Sequence, residues 1–145
     1  MYKSEDLGKV DFYEYIKQLI SYLSQSYGEL SEKISFKINS NDIYMNINTA
    51  IPCGMIINEL ISNSLKYAFP DGRSGEVCIG LSSENDNFKL IVSDNGVGIK
   101  GILNIKDSKT LGFRLIDTLV KQIDGKMSLD ITNGTKCEIY FKGLK

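Results

Sequence analysis

The segment Asn58-Glu-Leu-Ile-Ser-Asn-Ser-Leu-Lys-Tyr-Ala-Phe-Pro70 places one carboxylate, one amide and one ammonium within two helical turns. At about 100° per residue, Ile57, Leu60, Ile61, Ser64 and Ala68 share one face of a helix, and Glu59, Ser62, Asn63 and Lys66 gather on the other. An Asn side chain offers an oxygen to a hard cation, and a Lys offers a point charge to phosphate. That set suits a nucleotide phosphate and its magnesium. A solvated polar face is the plainer alternative for this helix taken alone.

Three further places bear on the same chemistry. Asp94 ends an apolar run, where a carboxylate can be fixed by backbone donors and can accept from an exocyclic amine such as that of adenine. Gly96 and Gly98 let backbone approach a flat base closely. Asp94-Asn-Gly96 is equally the pattern of a tight turn. Thr110-Leu111-Gly112 opens an amphipathic segment, and exposed N–H groups at a helix start bind phosphate, although an ordinary N-cap reads the same way. Asn133-Gly134-Thr135 has the pattern of a hairpin turn, with a hydroxyl left for a ligand. Gly96-Val-Gly98-Ile-Lys-Gly101 also matches the dinucleotide-binding pattern G-x-G-x-x-G. That reading needs a helix opening inside the motif and a βαβ unit, and Ile102 to Lys109 has neither a cap nor clear periodicity.

The elements that must position these residues follow from capping and periodicity. Asp11 and Glu14 form a capping box, with Val10 and Tyr15 as a hydrophobic staple. Phe12, Ile16, Leu19, Ile20 and Leu23 make the stripe of a first helix ending near Gly28. Phe36 and Ile38 alternate, as do Ile43, Met45 and Ile47, across the turn cluster Asn39 to Asp42, predicting a hairpin. Pro52 is expected to open the second helix. Val77, Ile79 and Leu81 predict a hairpin with Phe88, Leu90 and Val92. Leu111, Leu115, Ile116, Leu119, Val120 and Ile123 predict a third helix closed by Gly125. Met127, Leu129 and Ile131 pair with Cys137, Ile139 and Phe141 across Asn133-Gly134. The expected fold class is α/β (α+β): a two-layer sandwich of a mixed, largely antiparallel sheet with three helices on one face.

Composition narrows the classes. A chain of 145 residues fits one domain with a real core. A net charge of −1 gives no basic footprint for nucleic acid or anionic membrane. The apolar runs are too short to span a bilayer as helices. Cys53, Cys78 and Cys137 stand in no metal or redox motif and read as reduced core thiols in the cytoplasm. The chain has no histidine, which excludes a His-dependent triad or a His-ligated metal within it.

Taken in order, these segments resemble the ATP-binding catalytic domain of sensor histidine kinases, within the GHKL group that includes gyrase-type topoisomerases and heat-shock chaperones. Asn58 to Pro70 resembles the N-box, Asp94 to Gly98 the first glycine box, Thr110-Leu-Gly112-Phe-Arg-Leu115 the second, and Gly134-Thr135 the motif before the last strand. Asp11 to Tyr15 and Ile51 to Leu60 look like the subfamily called histidine kinase type 2. The resemblance runs from about Leu7 to Phe141 and implies the Bergerat ATP-binding fold.

It implies roles as well. Asn63 would ligate magnesium bridging the phosphates, and Glu59 would orient a water or the metal shell near the γ-phosphate. Lys66 would contact phosphate, and Tyr67 would pack near the sugar or base. Asp94 would bind the adenine amine, Gly96 and Gly98 would line its pocket, and Thr135 would support Asp94 through water. Thr110, Leu111 and Gly112 would cradle phosphates. The cofactors implied are ATP and Mg2+, with phosphoryl transfer achieved by positioning and charge neutralisation.

Three departures stand out. The loop from Ile99 to Leu111 is short, Phe113 and Arg114 follow Gly112 where many relatives carry small residues, and the phosphoacceptor histidine is missing. In the family that histidine lies upstream, on a helical dimerisation domain whose end Met1 to Asp6 resembles. Residues 1–9 are therefore expected to be a lead-in and residues 10–145 the ATPase domain. The expected partners are that upstream domain and, indirectly, a response regulator, with the isolated domain a monomer that touches neither nucleic acid nor membrane. Two alternatives remain open: an anti-sigma-factor-type serine/threonine kinase of the same fold, and a non-catalytic nucleotide-binding or docking module.

Overall fold

Asp11 accepts from the Glu14 N–H at 3.4 Å and so caps α1, Phe12–Tyr27, while the Gly28 N–H closes its far end on the Ser24 carbonyl. Only the Asp11 half of the expected capping box forms among the contacts seen. The computed structural model describes residues 8–40, 42–85, 87–97 and 111–142, with backbone alone for 111–113. Around α1 stand β1 (Lys9–Asp11), β2 (Ile34–Asn39), β3 (Tyr44–Asn46), α2 (Ile47–Asn63), β4 (Gly75–Glu84), β5 (Asn87–Asp94), α3 (Leu111–Gln122), β6 (Lys126–Asp130) and β7 (Thr135–Lys142).

Five strands form one sheet in the order β2-β4-β5-β7-β6, and β1 pairs with β3 as a separate ribbon. The β4–β5 and β6–β7 hairpins match the sequence reading, with Glu84 opposite Asn87 and Asp130 opposite Lys136. The first hairpin does not form. β2 pairs in parallel with β4, Phe36 opposite Val77, and Met45 of β3 lies opposite Val10 of β1. Alternation sets which face a strand buries but says nothing of its partner, and here the partner of β2 lies across an intervening helix.

The start of α2 also differs from expectation. Ile47 is its first residue rather than the end of a strand, and Pro52 lies inside the helix instead of opening it. Two acceptors fix the earlier start: the Asn46 side chain takes the Asn48 N–H at 2.8 Å, and the Gly8 carbonyl takes the Ile47 N–H at 2.6 Å.

The two-layer architecture follows from the alternation. Val77, Ile79, Leu81, Leu90, Val92, Cys137, Ile139 and Phe141 point to one side of the sheet and are buried with Phe12, Ile16, Ile56, Ile57, Leu60, Ile61, Ile116 and Leu119 from the helices. α2 is the central helix, touching both α1 and α3. Its Gly54 lets Tyr15 of α1 lie against the backbone, where any larger side chain would meet the ring. The opposite face of the sheet carries polar residues, with Lys37 paired to Glu76 and both Lys89 and Lys136 beside Glu138. The described helices therefore pack on one face, as expected.

Candidate nucleotide site

α2 does not end at Asn63. It runs directly into a π-helical turn, Ser64–Ala68, followed by a short 3-10 turn at Pro70–Gly72. Such wide turns inside helices recur at functional sites, because the extra residue redirects the side chains beyond it. The apolar face is as the sequence predicts: Ile57, Ile61 and Leu65 are fully buried, and Ala68 nearly so. On the polar face Glu59 and Asn63 are half-buried, four residues apart. Ser62, assigned to that face, is instead buried.

The end of this helix meets the end of β5 at Asp94, which is 7% exposed and satisfied by three donors. The Ser64 hydroxyl donates to Oδ2 at 2.7 Å. The N–H groups of Gly96 and Thr135 donate to Oδ1 at 2.9 and 3.3 Å. A buried carboxylate needs such donors, and its four acceptor positions are not exhausted by three. The Thr135 backbone N–H thus reaches Asp94 directly. β5 and β7 set this geometry, since Asp94 and Thr135 face each other in the ladder.

Glycine is required at two places here. A Cβ on Gly96 would run into the Ala68 carbonyl and side chain. Gly134 has φ +76°, and a Cβ there would strike the Asp94 carbonyl. Asn95 fastens the same corner from the other side, its Oδ1 accepting the Glu76 N–H at 2.8 Å. Asp94-Asn-Gly96 is thus a junction of three elements and not a simple reversal.

Not every expected residue converges on Asp94. Lys66 is exposed, with Nζ 6.0 Å from the centroid of the Tyr27 ring. It lines a groove of about 440 Å³ with Glu29, Glu32, Lys33, Asp71 and Arg73. Tyr67 is 47% exposed beside it. Leu111 and Gly112 begin α3, consistent with a helix start at that point, and Gly98 and Thr110 lie outside the described residues. Ser64 escaped the sequence reading because it falls on the apolar face. A hydroxyl among Ile57, Leu60 and Ile61 was the available signal, since a buried hydroxyl needs a partner.

For a metal, no group of three or more His, Cys, Asp or Glu side chains among the described residues is arranged to hold an ion. Asn63 is a different kind of residue: its Nδ2 is buried with no hydrogen-bond partner among the described residues, an N–H donor left for an acceptor such as a phosphate oxygen, while its amide oxygen is the atom that suits a hard cation. No described helix is long and apolar enough to cross a membrane.

Comparison with known proteins converges on one group. The family described as histidine kinase-, DNA gyrase B- and HSP90-like ATPase matches residues 48–144. The blue-light-activated histidine kinase 2 of Erythrobacter litoralis is 26% identical over 121 residues, covering 83% of this chain and 34% of that protein. The sensor histidine kinase PdtaS of Mycobacterium tuberculosis is 30% identical over 77 residues, covering 52% of this chain and 15% of its own length. The chain thus spans about a third of the first of these curated relatives and less of the second. Among solved structures, the histidine kinase domain of the Erythrobacter litoralis EL346 protein superposes with a TM-score of 0.69 at 23% identity, over 86% of this chain and 60% of that one. The mycobacterial sensor histidine kinase MprB gives 0.71 at 18% identity, over 93% and 96%.

Proposed function

Because the chain belongs to the histidine kinase-, DNA gyrase B- and HSP90-like ATPase family, we propose that it is the ATP-binding catalytic domain of a sensor histidine kinase. In this reading it positions magnesium-bound ATP for transfer of the γ-phosphoryl group to a histidine outside residues 1–145. The observation that carries the reading is Asp94, a buried carboxylate held by three donors and with acceptor capacity left over.

The residues present fit the nucleotide. Asp94 accepts the exocyclic amine of adenine, which a purine carrying a carbonyl at that position does not offer. Gly96, with no room for a Cβ, shapes the wall on which the base lies. Bound ATP supplies the transferable phosphoryl group, and Mg2+ shields its charge. Asn63 would ligate the ion through its amide oxygen, as one protein ligand among oxygens from phosphate and water. Glu59, one turn earlier, would orient a water there. Lys66 reaches phosphate only by leaving the Tyr27 ring, a weak and solvent-exposed contact. The N–H groups at the start of α3, near Leu111 and Gly112, cradle the phosphates, and Tyr67 covers the sugar.

The absence of histidine from the chain requires the phosphoacceptor to come from elsewhere, in this reading an upstream helical domain of histidine kinase type 2, with a response regulator further down the relay. In this reading residues 1–9 lead in from that domain and residues 10–145 are the ATPase unit, with Gly8 and Lys9 at the junction already bonded to α2 and β3, and the place of action is the cytoplasm. Titration of the chain with ADP, with and without magnesium, tests the reading. Saturable binding strengthened by magnesium supports it, and no binding at millimolar nucleotide overturns it.

A further inference from the structure

We propose that Ser64 is a positioning residue that sets purine selectivity, by directing the one acceptor position of the Asp94 carboxylate that stays open to a base. The inference rests on the adenine-site reading of Asp94 given above. Ser64 is 8% exposed, and its hydroxyl donates to Asp94 Oδ2 at 2.7 Å. The other two donors, from Gly96 and Thr135, both fall on Oδ1. Two donors on one oxygen occupy both of its lone pairs, so the acceptor position left for a base lies on Oδ2. The Ser64 hydroxyl takes one lone pair of that oxygen and so sets the direction in which the other is offered.

Ser64 can do this because the apolar side of the helix is the side that meets the buried end of β5. It is the first residue of the π turn and Ala68 the last, and the Ala68 carbonyl accepts the Val97 N–H at 2.9 Å. One turn thereby grips the Asp94 segment at two points, one through a side chain and one through backbone. The backbone grip fixes where the segment lies, and the Ser64 hydroxyl fixes which lone pair of Oδ2 stays open. An acceptor offered in one direction discriminates between a base that brings an amine and one that brings a carbonyl, and an acceptor with both lone pairs open discriminates less.

The test compares ADP with inosine diphosphate, which carries a carbonyl in place of the amine, on wild-type, Ser64→Ala and Ser64→Thr chains by calorimetric titration. Ser64→Ala is expected to weaken ADP about tenfold, the scale of one lost hydrogen bond to a charged group. Inosine diphosphate should change by less than about twofold, since it gains nothing from the oriented acceptor. Ser64→Thr keeps the hydroxyl and should restore the selectivity ratio. If Ser64→Ala does not fold, Ser64→Cys, with a weaker donor, should give an intermediate ratio. A ratio unchanged in Ser64→Ala or Ser64→Cys overturns the inference while leaving the adenine site intact. A wild-type chain that binds ADP no better than inosine diphosphate overturns both.

Discussion

The N–H of Val97 donates to the carbonyl of Ala68 at 2.9 Å, which ties the backbone beyond β5 to the last residue of the π turn that follows α2. Gly96 sits inside this clasp, and its Cα hydrogens face the Ala68 carbonyl and methyl. Neither neighbour is the far end of a flexible side chain. Gly96→Ala should therefore force the two segments apart, at a cost of about 1–3 kcal/mol as in other overpacked sites. Urea unfolding should show that loss together with weaker ADP binding. Wild-type stability in the variant would mean that the clasp is looser than described.

Asn63 should behave in the opposite way. Its buried Nδ2 has no partner among the described residues, so removing that N–H donor gives up no hydrogen bond there in the free protein. Asn63→Ala is expected to leave stability within about 0.5 kcal/mol of wild type, or to raise it. It should abolish the magnesium-dependent part of ADP affinity while sparing the rest. Retention of the magnesium effect would exclude Asn63 as a ligand.

Much of this arrangement was legible in the residues alone. Asp11 and Gly28 mark the ends of α1, and the β4–β5 and β6–β7 hairpins follow from alternation flanking a turn, because local rules decide them. β2 and β3 were misassigned because their partners, β4 and β1, are chosen by long-range packing, and neighbouring alternating runs mimic a hairpin. Pro52 misled because proline tolerates a first turn, whereas Asn46 and the distant Gly8 carbonyl start the helix earlier. At the site, Asp94, Gly96 and Thr135 were legible as motif residues. Ser64 was not, since periodicity gave it the apolar face, and only the folded chain shows that this face meets the end of β5 at Asp94.

The three thiols give a pH signature. All are free, with Cys53 and Cys137 buried and Cys78 half-buried. Burial pushes the Cys53 and Cys137 thiols up to about 12, from an ordinary 9.0. The folded state then holds protons that the unfolded state releases. This contribution to stability is complete below the unfolded value and is lost as pH rises from 9.0 toward about 12. Urea midpoints should fall across that window, and the slope should flatten in a Cys53→Ala, Cys137→Ala double variant. An identical slope would place the titrating groups elsewhere. In the native state a thiol reagent should modify Cys78 before the other two.

The most direct test of the central claim is calorimetric titration of ADP with magnesium into wild-type and Asp94→Asn chains. The asparagine oxygen can keep the Gly96 and Thr135 N–H bonds. The Ser64 hydroxyl can turn to accept from the new amide, so the corner remains folded, as circular dichroism would verify. The substitution then replaces an acceptor with a donor where the adenine amine must bind. The account predicts clear binding by the wild-type chain and loss of at least about tenfold in affinity for the folded variant. Equal affinity in the two chains would contradict it, because Asp94 would then not be the group that reads the base.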